Sequence, residues 1–190
     1  YPHGCIEQTT SSVFPQLFLS SLLDLSTERK LEIQNNVDNG INRLKSFQIA
    51  NGGMSYWPNN NNGASEWGTN YAGHFLIEAK NLGYAVPDVL INNWLKFQKQ
   101  RANSWSRYNN SGYSSELVQS YRLYTLALAK KPALGAMNRM KEINNLTITS
   151  RWRLAGAYLL AGKPEVAKSI IGNISVNVPD YKSPSYTYGS

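Results

Sequence analysis

Two side chains near the start of the chain, Cys5 and Gln8, have the types and the spacing for an intramolecular reaction. Cys5 is the only cysteine in the 190 residues and lies three positions before Gln8, with Glu7 between them. Residues i and i+3 share a face of a helical turn, so the sulfur can reach the Gln8 carboxamide. Attack of the thiolate with loss of ammonia would leave an internal thioester, an electrophile for amines and hydroxyls. Glu7 could hold a proton or orient the amide.

Other interpretations of Cys5 stay open at this point, because a C-x-x-Q spacing alone is common. Cys5 could be a small buried residue at the start of a helix. It could also be the nucleophile of a hydrolase, with His3 or His74 as its base, although neither histidine is well placed in the sequence. One cysteine and two dispersed histidines lack the ligand number that zinc requires, so we expect no metal site and no cofactor.

The composition indicates a globular chain with the length of one domain. A hydrophobic fraction of 42% excludes a disordered chain, while apolar runs such as residues 126–129 are far too short to cross a bilayer. The net charge of +7 would suit a nucleic-acid partner, but Lys and Arg form no run longer than two residues. We therefore expect no nucleic-acid binding.

Helical periodicity recurs along the chain, and no convincing pair of strands interrupts it. The predicted helices cover residues 5–24 with a kink at Pro15, 27–48 with the Thr27 hydroxyl as cap, 66–82, 87–102, 114–130, 133–143, 149–161 and 164–172. An Asn- and Gly-rich loop with embedded aromatic residues is predicted at 51–67, and an irregular connector at 175–190.

A loose internal repeat predicts how these helices are arranged. LKSFQ at 44–48 is followed by SYWP at 55–58, and LKFQKQ at 95–100 is followed by SWSRY at 104–108. Each unit would comprise two helices joined by an aromatic loop, which is typical of stacked antiparallel helix pairs. The pattern predicts an all-α array and leaves open whether it forms a solenoid or a closed ring.

The segment PHGCIEQTTS resembles the thioester motif of the alpha-2-macroglobulin and complement family, in particular its bacterial branch. The matching positions are Gly4, Cys5, Glu7, Gln8 and Thr9, with Ile6 where animal members usually carry glycine and bacterial members an aliphatic residue. The resemblance continues through GGMSYWP at 52–58, NYAGHFLIEAKNLGYAVP at 70–87, SYRLYTLALA at 120–129 and RWRLAGAYLLAGKPEVAK at 151–168. It therefore extends over essentially the whole chain.

This resemblance implies one thioester domain over residues 1–190. Its expected fold is an α/α toroid, of which these residues would form roughly the N-terminal two-thirds. In that family a protease cuts a bait region outside this domain, and the exposed thioester then bonds to the attacker. The implied function is a broad-spectrum endopeptidase inhibitor acting in a single turnover, not an enzyme. Its implied partners are target proteases and other domains of a parent chain. Bacterial members are typically periplasmic and often lipid-anchored, so we expect the cell envelope, with membrane contact only through the parent chain.

The resemblance also implies roles for individual residues. Cys5 would supply the thiol and Gln8 the acyl group, with Glu7 in support. Complement-type members that prefer hydroxyl targets use a histidine from a later loop, whereas the corresponding residues 106–116 contain none. Direct transfer to amines is therefore expected, with Tyr113 as an aromatic residue near the thioester.

Met54, Tyr56 and Trp57 are predicted to screen the thioester from water, since a stored thioester survives only where water is excluded. The alternative role for these three residues, and for Tyr113, is ordinary packing between helices.

Two further functions stay open beside protease trapping. A related helical domain could use a thioester to anchor a bacterium to host surface molecules. An α/α toroid could also be a carbohydrate-active enzyme that uses Glu66, Glu78 or Glu116 as acid or base, with aromatic residues stacking on sugar. No pair of carboxylates at a telling spacing supports the enzyme.

Overall fold

The computed structural model describes residues 4–107 and 113–172, and within them the chain is helical, without a strand. The helices are α1 (Ile6–Val13), α2 (Gln16–Leu22), α3 (Thr27–Leu44), α4 (Glu66–Asn81), α5 (Asp88–Ser104), α6 (Tyr113–Leu128), α7 (Leu134–Lys141), α8 (Ile148–Leu160) and α9 (Pro164–Ile171). A 3₁₀ turn, Lys45–Phe47, continues α3. The all-α prediction is confirmed, and the predicted connector at 175–190 lies outside the described residues.

The first predicted helix is in fact two helices, so the prediction of one kinked helix over 5–24 is wrong. The chain leaves α1 at Phe14 and Pro15, where the amides of Leu17 and Phe18 bond three residues back, at 3.2 Å each. Proline has no N–H to continue the α-helical ladder, and its ring clashes with the preceding turn. Cys5 also lies just before α1 and not within it.

The cap of α3 is Ser26 and not Thr27 as predicted. The Ser26 hydroxyl accepts a hydrogen bond from the backbone N–H of Arg29 at 3.3 Å, and Thr27 is the first helical residue. A cap residue needs extended backbone angles, and Ser26 has them, with φ −63° and ψ 160°. Two neighbouring hydroxyl residues are equally good caps by type, so the sequence could not separate them.

Four helices pack side by side and form one layer: α1, α4, α6 and α8. The helices α3, α5, α7 and α9 pack against this layer. For each pair of neighbouring helices in the layer, the residue numbers of the contacting side chains increase together along the two helices. They include Ser11 with Tyr71, Phe14 with His74, Asn70 with Val118, His74 with Tyr121, Glu116 with Thr147 and Ser120 with Ser150. The four helices are therefore parallel, and their N-terminal ends lie at one edge. This is the arrangement of an α/α toroid, as predicted.

The core consists of two clusters, one over residues 6–94 and one over residues 102–170. In the first, the Trp94 ring lies against the backbone of α4, where a Cβ on Gly73 would be 2.1 Å from the indole nitrogen. That nitrogen donates to the Thr69 carbonyl oxygen at 2.8 Å. Only glycine at position 73 permits this approach, which fixes α5 against α4.

A buried polar network on Arg122 joins α4, α5 and α6. The Arg122 side chain is only 3% exposed and donates hydrogen bonds to Glu66, to Gln98 at 3.0 Å and to Gln119 at 2.5 Å. Glu66 also pairs with Arg101 at 2.6 Å. Burial lowers the pKa of Arg122 to about 10, so the guanidinium remains charged at neutral pH. The network holds the start of α4 against α5 and α6.

Candidate functional site

Cys5 and Gln8 face each other across the first turn of α1. Cys5 is the N-cap residue, and its side chain accepts a hydrogen bond from the backbone N–H of Gln8. In return, the Gln8 side-chain oxygen Oε1 accepts from the backbone N–H of Cys5 at 3.1 Å. This reciprocal pair is a capping box with sulfur in place of the usual hydroxyl oxygen. It places the thiol and the carboxamide within one turn and directs them toward each other.

Gly4 makes room for the folded-back carboxamide. A Cβ at this position would lie 2.3 Å from Gln8 Oε1 and 3.1 Å from Gln8 Cδ, so the carboxamide would have to move out of its present position. Gly4 also has φ +138°, which L side chains rarely adopt. Glycine at position 4 therefore suits the positive φ and leaves room for the folded-back Gln8 carboxamide.

The environment of the Cys5 sulfur favours its ionised form. The residue is 4% exposed. Burial raises the pKa of the thiol, but hydrogen bonds from the backbone N–H of Gln8, the Tyr56 hydroxyl and the backbone N–H of Glu7 bring this pKa below its ordinary value. The thiolate is the nucleophilic form of cysteine, so this environment suits attack on a carbonyl carbon.

Glu7 lies beside this pair and is half-buried. Its backbone N–H stabilises a negative sulfur, while its carboxylate charge acts in the opposite direction and raises the pKa of Cys5. The supporting role predicted for the Glu7 side chain in handling a proton stays a prediction.

A second segment, residues 54–57, lies against the start of α1. The Tyr56 carbonyl oxygen accepts from the backbone N–H of Ile6 at 3.0 Å. Met54 is fully buried, and its backbone bonds the Thr69 hydroxyl at 3.0 Å and the Ser65 N–H at 2.8 Å. The segment is thus fixed between α1 and the start of α4.

The predicted screening residues occupy different positions in this segment. Met54 belongs to the core beneath the site, whereas Tyr56 is 45% exposed and Trp57 is 50% exposed. Their rings meet edge to face, with centroids 5.5 Å apart. Gln8 is exposed as well. The screening role of these residues stays a prediction, as does that of Tyr113, whose side chain lies outside the described residues.

The histidines do not join Cys5 among the described residues. His3 lies outside them. His74 lies on α4, where its Nδ1 is 2.9 Å from the Tyr121 hydroxyl and its ring packs edge-on to Phe14 at 5.0 Å. Its Nε2 is 3.7 Å from a Glu78 carboxylate oxygen. Burial lowers the pKa of His74 to about 4, so the imidazole is neutral near pH 7. Among the described residues, the contacts of His74 are with these aromatic side chains and Glu78 and not with Cys5.

This burial predicts acid sensitivity of the fold. The folded pKa of His74 is about 4 and its ordinary value is 6.5, so stability is complete above pH 6.5 and falls as pH drops toward 4. With the side chain 20% exposed, we expect a loss of about 3 kcal/mol at most. Urea unfolding at several pH values checks this. The decline should be smaller in His74→Asn, and an equal decline in both proteins would contradict the assignment.

The carboxylates proposed for a carbohydrate-active enzyme have structural partners. Glu66 pairs with Arg101 and Arg122. Glu116 accepts from the Thr147 N–H and hydroxyl at 2.8 Å each, at the start of α8. Among the described residues no three His, Cys, Asp or Glu side chains are grouped to hold a metal ion. The helices described there are also too short or too polar to span a membrane.

Sequence reasoning missed two features of the site. The double constraint on Gly4 was not foreseen, although a glycine directly before a helix cap is a recognisable indication of positive φ. The backbone hydrogen bond from Ile6 to Tyr56 was missed as well, because it joins residues fifty positions apart, although Tyr56 was predicted to screen the thioester.

Comparisons with known proteins point to one family. The model of the A-macroglobulin TED domain matches residues 1–117. Alpha-2-macroglobulin of Escherichia coli (strain K12) is 35% identical over 152 residues, which are 75% of this chain and 9% of that protein.

Two crystal structures are similar over 90% of this chain. The trypsin-activated E. coli alpha-2-macroglobulin has 29% identity, a TM-score of 0.76 and 13% of its chain covered. The Salmonella alpha-2-macroglobulin reacted with methylamine has 30% identity, a TM-score of 0.75 and 12% covered. None of these favours an adhesion module or a carbohydrate-active enzyme.

Proposed function

Since the chain belongs to the alpha-2-macroglobulin family, we propose that it is a thioester domain that traps attacking proteases covalently through a Cys5–Gln8 bond. The observation that carries the proposal is the reciprocal hydrogen bonding of Cys5 and Gln8 at the start of α1. The chain spans 9% of the length of the E. coli relative. Protease trapping would therefore belong to a larger inhibitor, with this chain supplying the reactive group.

Formation of the thioester uses groups already in place. The Cys5 thiolate attacks Gln8 Cδ, and the negative charge that develops on Oε1 is stabilised by the Cys5 backbone N–H, its present partner at 3.1 Å. The C–N bond then breaks. The nitrogen leaves as ammonia with the proton that the thiol gave up, and the carbonyl re-forms as a thioester.

Capture reverses the roles of these atoms. An amine of the protease attacks Gln8 Cδ, and the bond between Cδ and the Cys5 sulfur breaks. The proton that the amine nitrogen loses is transferred to the sulfur and regenerates the thiol. The product is an amide between Gln8 and the protease, and the chain holds one Cys5–Gln8 pair, so each molecule acts once. The exposed position of Gln8 suits an attacker approaching from solvent.

The remaining parts of the proposal concern the setting. The partners are target proteases and the other domains of a parent macroglobulin, and the location is the periplasm or cell envelope of a bacterium. Lipid anchoring, where present, would belong to the parent chain. The similarity to bacterial alpha-2-macroglobulins supports proteases and a larger parent chain as the partners.

Methylamine treatment of the full-length protein tests the proposal. Before treatment, the tryptic peptide ending at Arg29 should be lighter by one ammonia than its sequence mass. Afterwards it should carry methylamine on Gln8 and a free Cys5 thiol. A peptide of unmodified mass that takes up no methylamine, from protein that also forms no covalent protease adduct, would contradict it.

A further inference from the structure

The Asn- and Gly-rich loop before α4 contains an exposed Asn-Gly pair, Asn62 and Gly63. We propose that Asn62 is a site of spontaneous deamidation. In this modification the backbone nitrogen of Gly63 attacks the Asn62 side chain, which becomes aspartate or isoaspartate. The reaction consumes water and needs no enzyme. It is independent of the thioester, because it uses a different carboxamide in a different segment of the chain.

The modification proceeds in two steps. First, the Gly63 backbone nitrogen bonds to Asn62 Cγ and gives its proton to solvent. The bond from Cγ to the side-chain nitrogen breaks, and this nitrogen takes a proton from solvent and leaves as ammonia. In the second step, water adds to one of the two carbonyl carbons of the resulting succinimide ring and breaks its bond to the ring nitrogen. Opening on one side gives aspartate, and opening on the other side gives isoaspartate, which continues the backbone through Cγ.

The two groups that have to meet are unhindered at Asn62 and Gly63. Both residues are exposed. The Asn62 backbone N–H donates to Asn60 Oδ1 at 2.9 Å. Among the described residues, however, no hydrogen bond involves the Asn62 carboxamide or the Gly63 N–H. A Cβ on Gly63 would meet nothing within 4 Å, so the space around this residue is open. The attack therefore breaks no contact that the structure describes.

A second Asn-Gly pair, Asn51 and Gly52, has the same two residues in a fixed environment. The Gly52 N–H donates to the Ile49 carbonyl oxygen at 2.8 Å. The Asn51 side-chain oxygen accepts from the Gly53 N–H at 2.9 Å. Gly52 is also buried, and a Cβ on it would lie 2.1 Å from the Asn93 carbonyl oxygen. The nucleophile and the carboxamide are thus each held by a hydrogen bond that the reaction has to break.

The third pair, Asn39 and Gly40, lies inside α3. The Gly40 N–H belongs to the hydrogen-bond ladder of this helix. Gly40 is buried against α1, where a Cβ would be 2.8 Å from the Val13 side chain. Ring closure at Asn39 therefore requires local opening of a packed helix. The fold leaves Asn62 as the reactive member of the three Asn-Gly pairs.

The backbone around Asn62 can accept the product. The Asn59 N–H donates to the Ser46 carbonyl oxygen at 2.7 Å, and the Ser65 N–H donates to the Met54 carbonyl oxygen at 2.8 Å. Between these two bonds, the described backbone of residues 60–64 makes no hydrogen bond to other backbone. The extra backbone atom of isoaspartate therefore falls in a stretch that can adjust without breaking either bond.

Storage of the full-length protein in mildly alkaline buffer made with heavy-oxygen water tests the proposal. In the tryptic peptide of residues 46–80, we expect Asn62 to exchange its amide nitrogen for one heavy oxygen, with isoaspartate among the products. Fragment spectra assign the position. Conversion at Asn62 should be at least roughly tenfold faster than at Asn51 or Asn39, because breaking one hydrogen bond costs about that factor. The peptide of residues 31–43 reports on Asn39.

The same incubation in urea is the control for local sequence. Unfolding removes the structural differences, so the three Asn-Gly pairs should then react at similar rates. Equal rates in the folded protein, or no conversion at Asn62, would overturn the proposal. A preference for Asn62 that persists in urea would overturn it as well, since the fold would not be its cause. Asn62→Gln should remove the signal at this position and leave the rates at Asn51 and Asn39 unchanged.

Discussion

Replacing Cys5 with serine is expected to abolish covalent uptake of methylamine and of protease while the fold persists. Serine is a favoured N-cap residue, so its hydroxyl can accept the Gln8 N–H in place of sulfur, and the free energy of unfolding should change by about 1 kcal/mol or less. A serine hydroxyl is not ionised near neutral pH and does not displace ammonia from an amide unaided. Mass spectrometry of the peptide ending at Arg29 and urea unfolding measure the two effects.

A control on the same helix separates this chemistry from the stability of α1. Ser12 donates from its hydroxyl to the Thr9 carbonyl oxygen at 2.8 Å, two turns beyond Cys5. Ser12→Ala should keep full uptake. Gln8→Glu should behave like Cys5→Ser, because a carboxylate has no ammonia to lose. Methylamine incorporation by the serine variant would show that another residue carries the acyl group.

Gly4→Ala is expected to prevent thioester formation almost as completely, although Gly4 supplies no reactive group. The added Cβ would lie 2.3 Å from Gln8 Oε1, so the carboxamide has to leave the Cys5 N–H. A displacement of about 1 Å in a reacting group costs about a hundredfold in rate. The positive φ of Gly4 adds strain of about 1–3 kcal/mol to the folded state. The mass of the peptide ending at Arg29 and methylamine uptake report the first effect, and urea unfolding reports the second.

Gly63 offers a matched comparison for this variant. It has φ +113°, but a Cβ there would meet nothing within 4 Å. Gly63→Ala should therefore lose stability through backbone strain and still form the thioester. Equal loss of the thioester in the two variants would mean that strain, and not the contact with Gln8, is responsible.

The helical part of the fold was predictable because each helix has an apolar face of the right period. The prediction of 149–161 for α8 differs from the observed Ile148–Leu160 by one residue at each end. The errors occurred where one residue decides a helix end. Pro15 breaks a helix that was predicted only to bend, and Ser26 takes the cap expected of Thr27. The position of a helix end depends on backbone angles that the hydrophobic periodicity of the sequence does not specify.

The site was predictable in its residue pair, whereas the backbone contacts around the pair were not. The spacing of Cys5 and Gln8 alone places both on one helical turn. Their exact relation arises because Cys5 lies before the helix, where its side chain can accept the Gln8 N–H. The backbone contact of Tyr56 with Ile6 depends on the tertiary path of the loop after α3, which no local pattern determines.

The position of Gln8 at the exposed side of a deeply embedded helix has a mechanical consequence. Ile6 and Val13, on the opposite side of α1, are almost completely buried in the first core cluster. A captured protease that pulls on its new amide bond would load this helix directly. Detaching the helix would require withdrawing Ile6 and Val13 from the core together. The pulling force would therefore be resisted by the packed core and not only by the end of the chain.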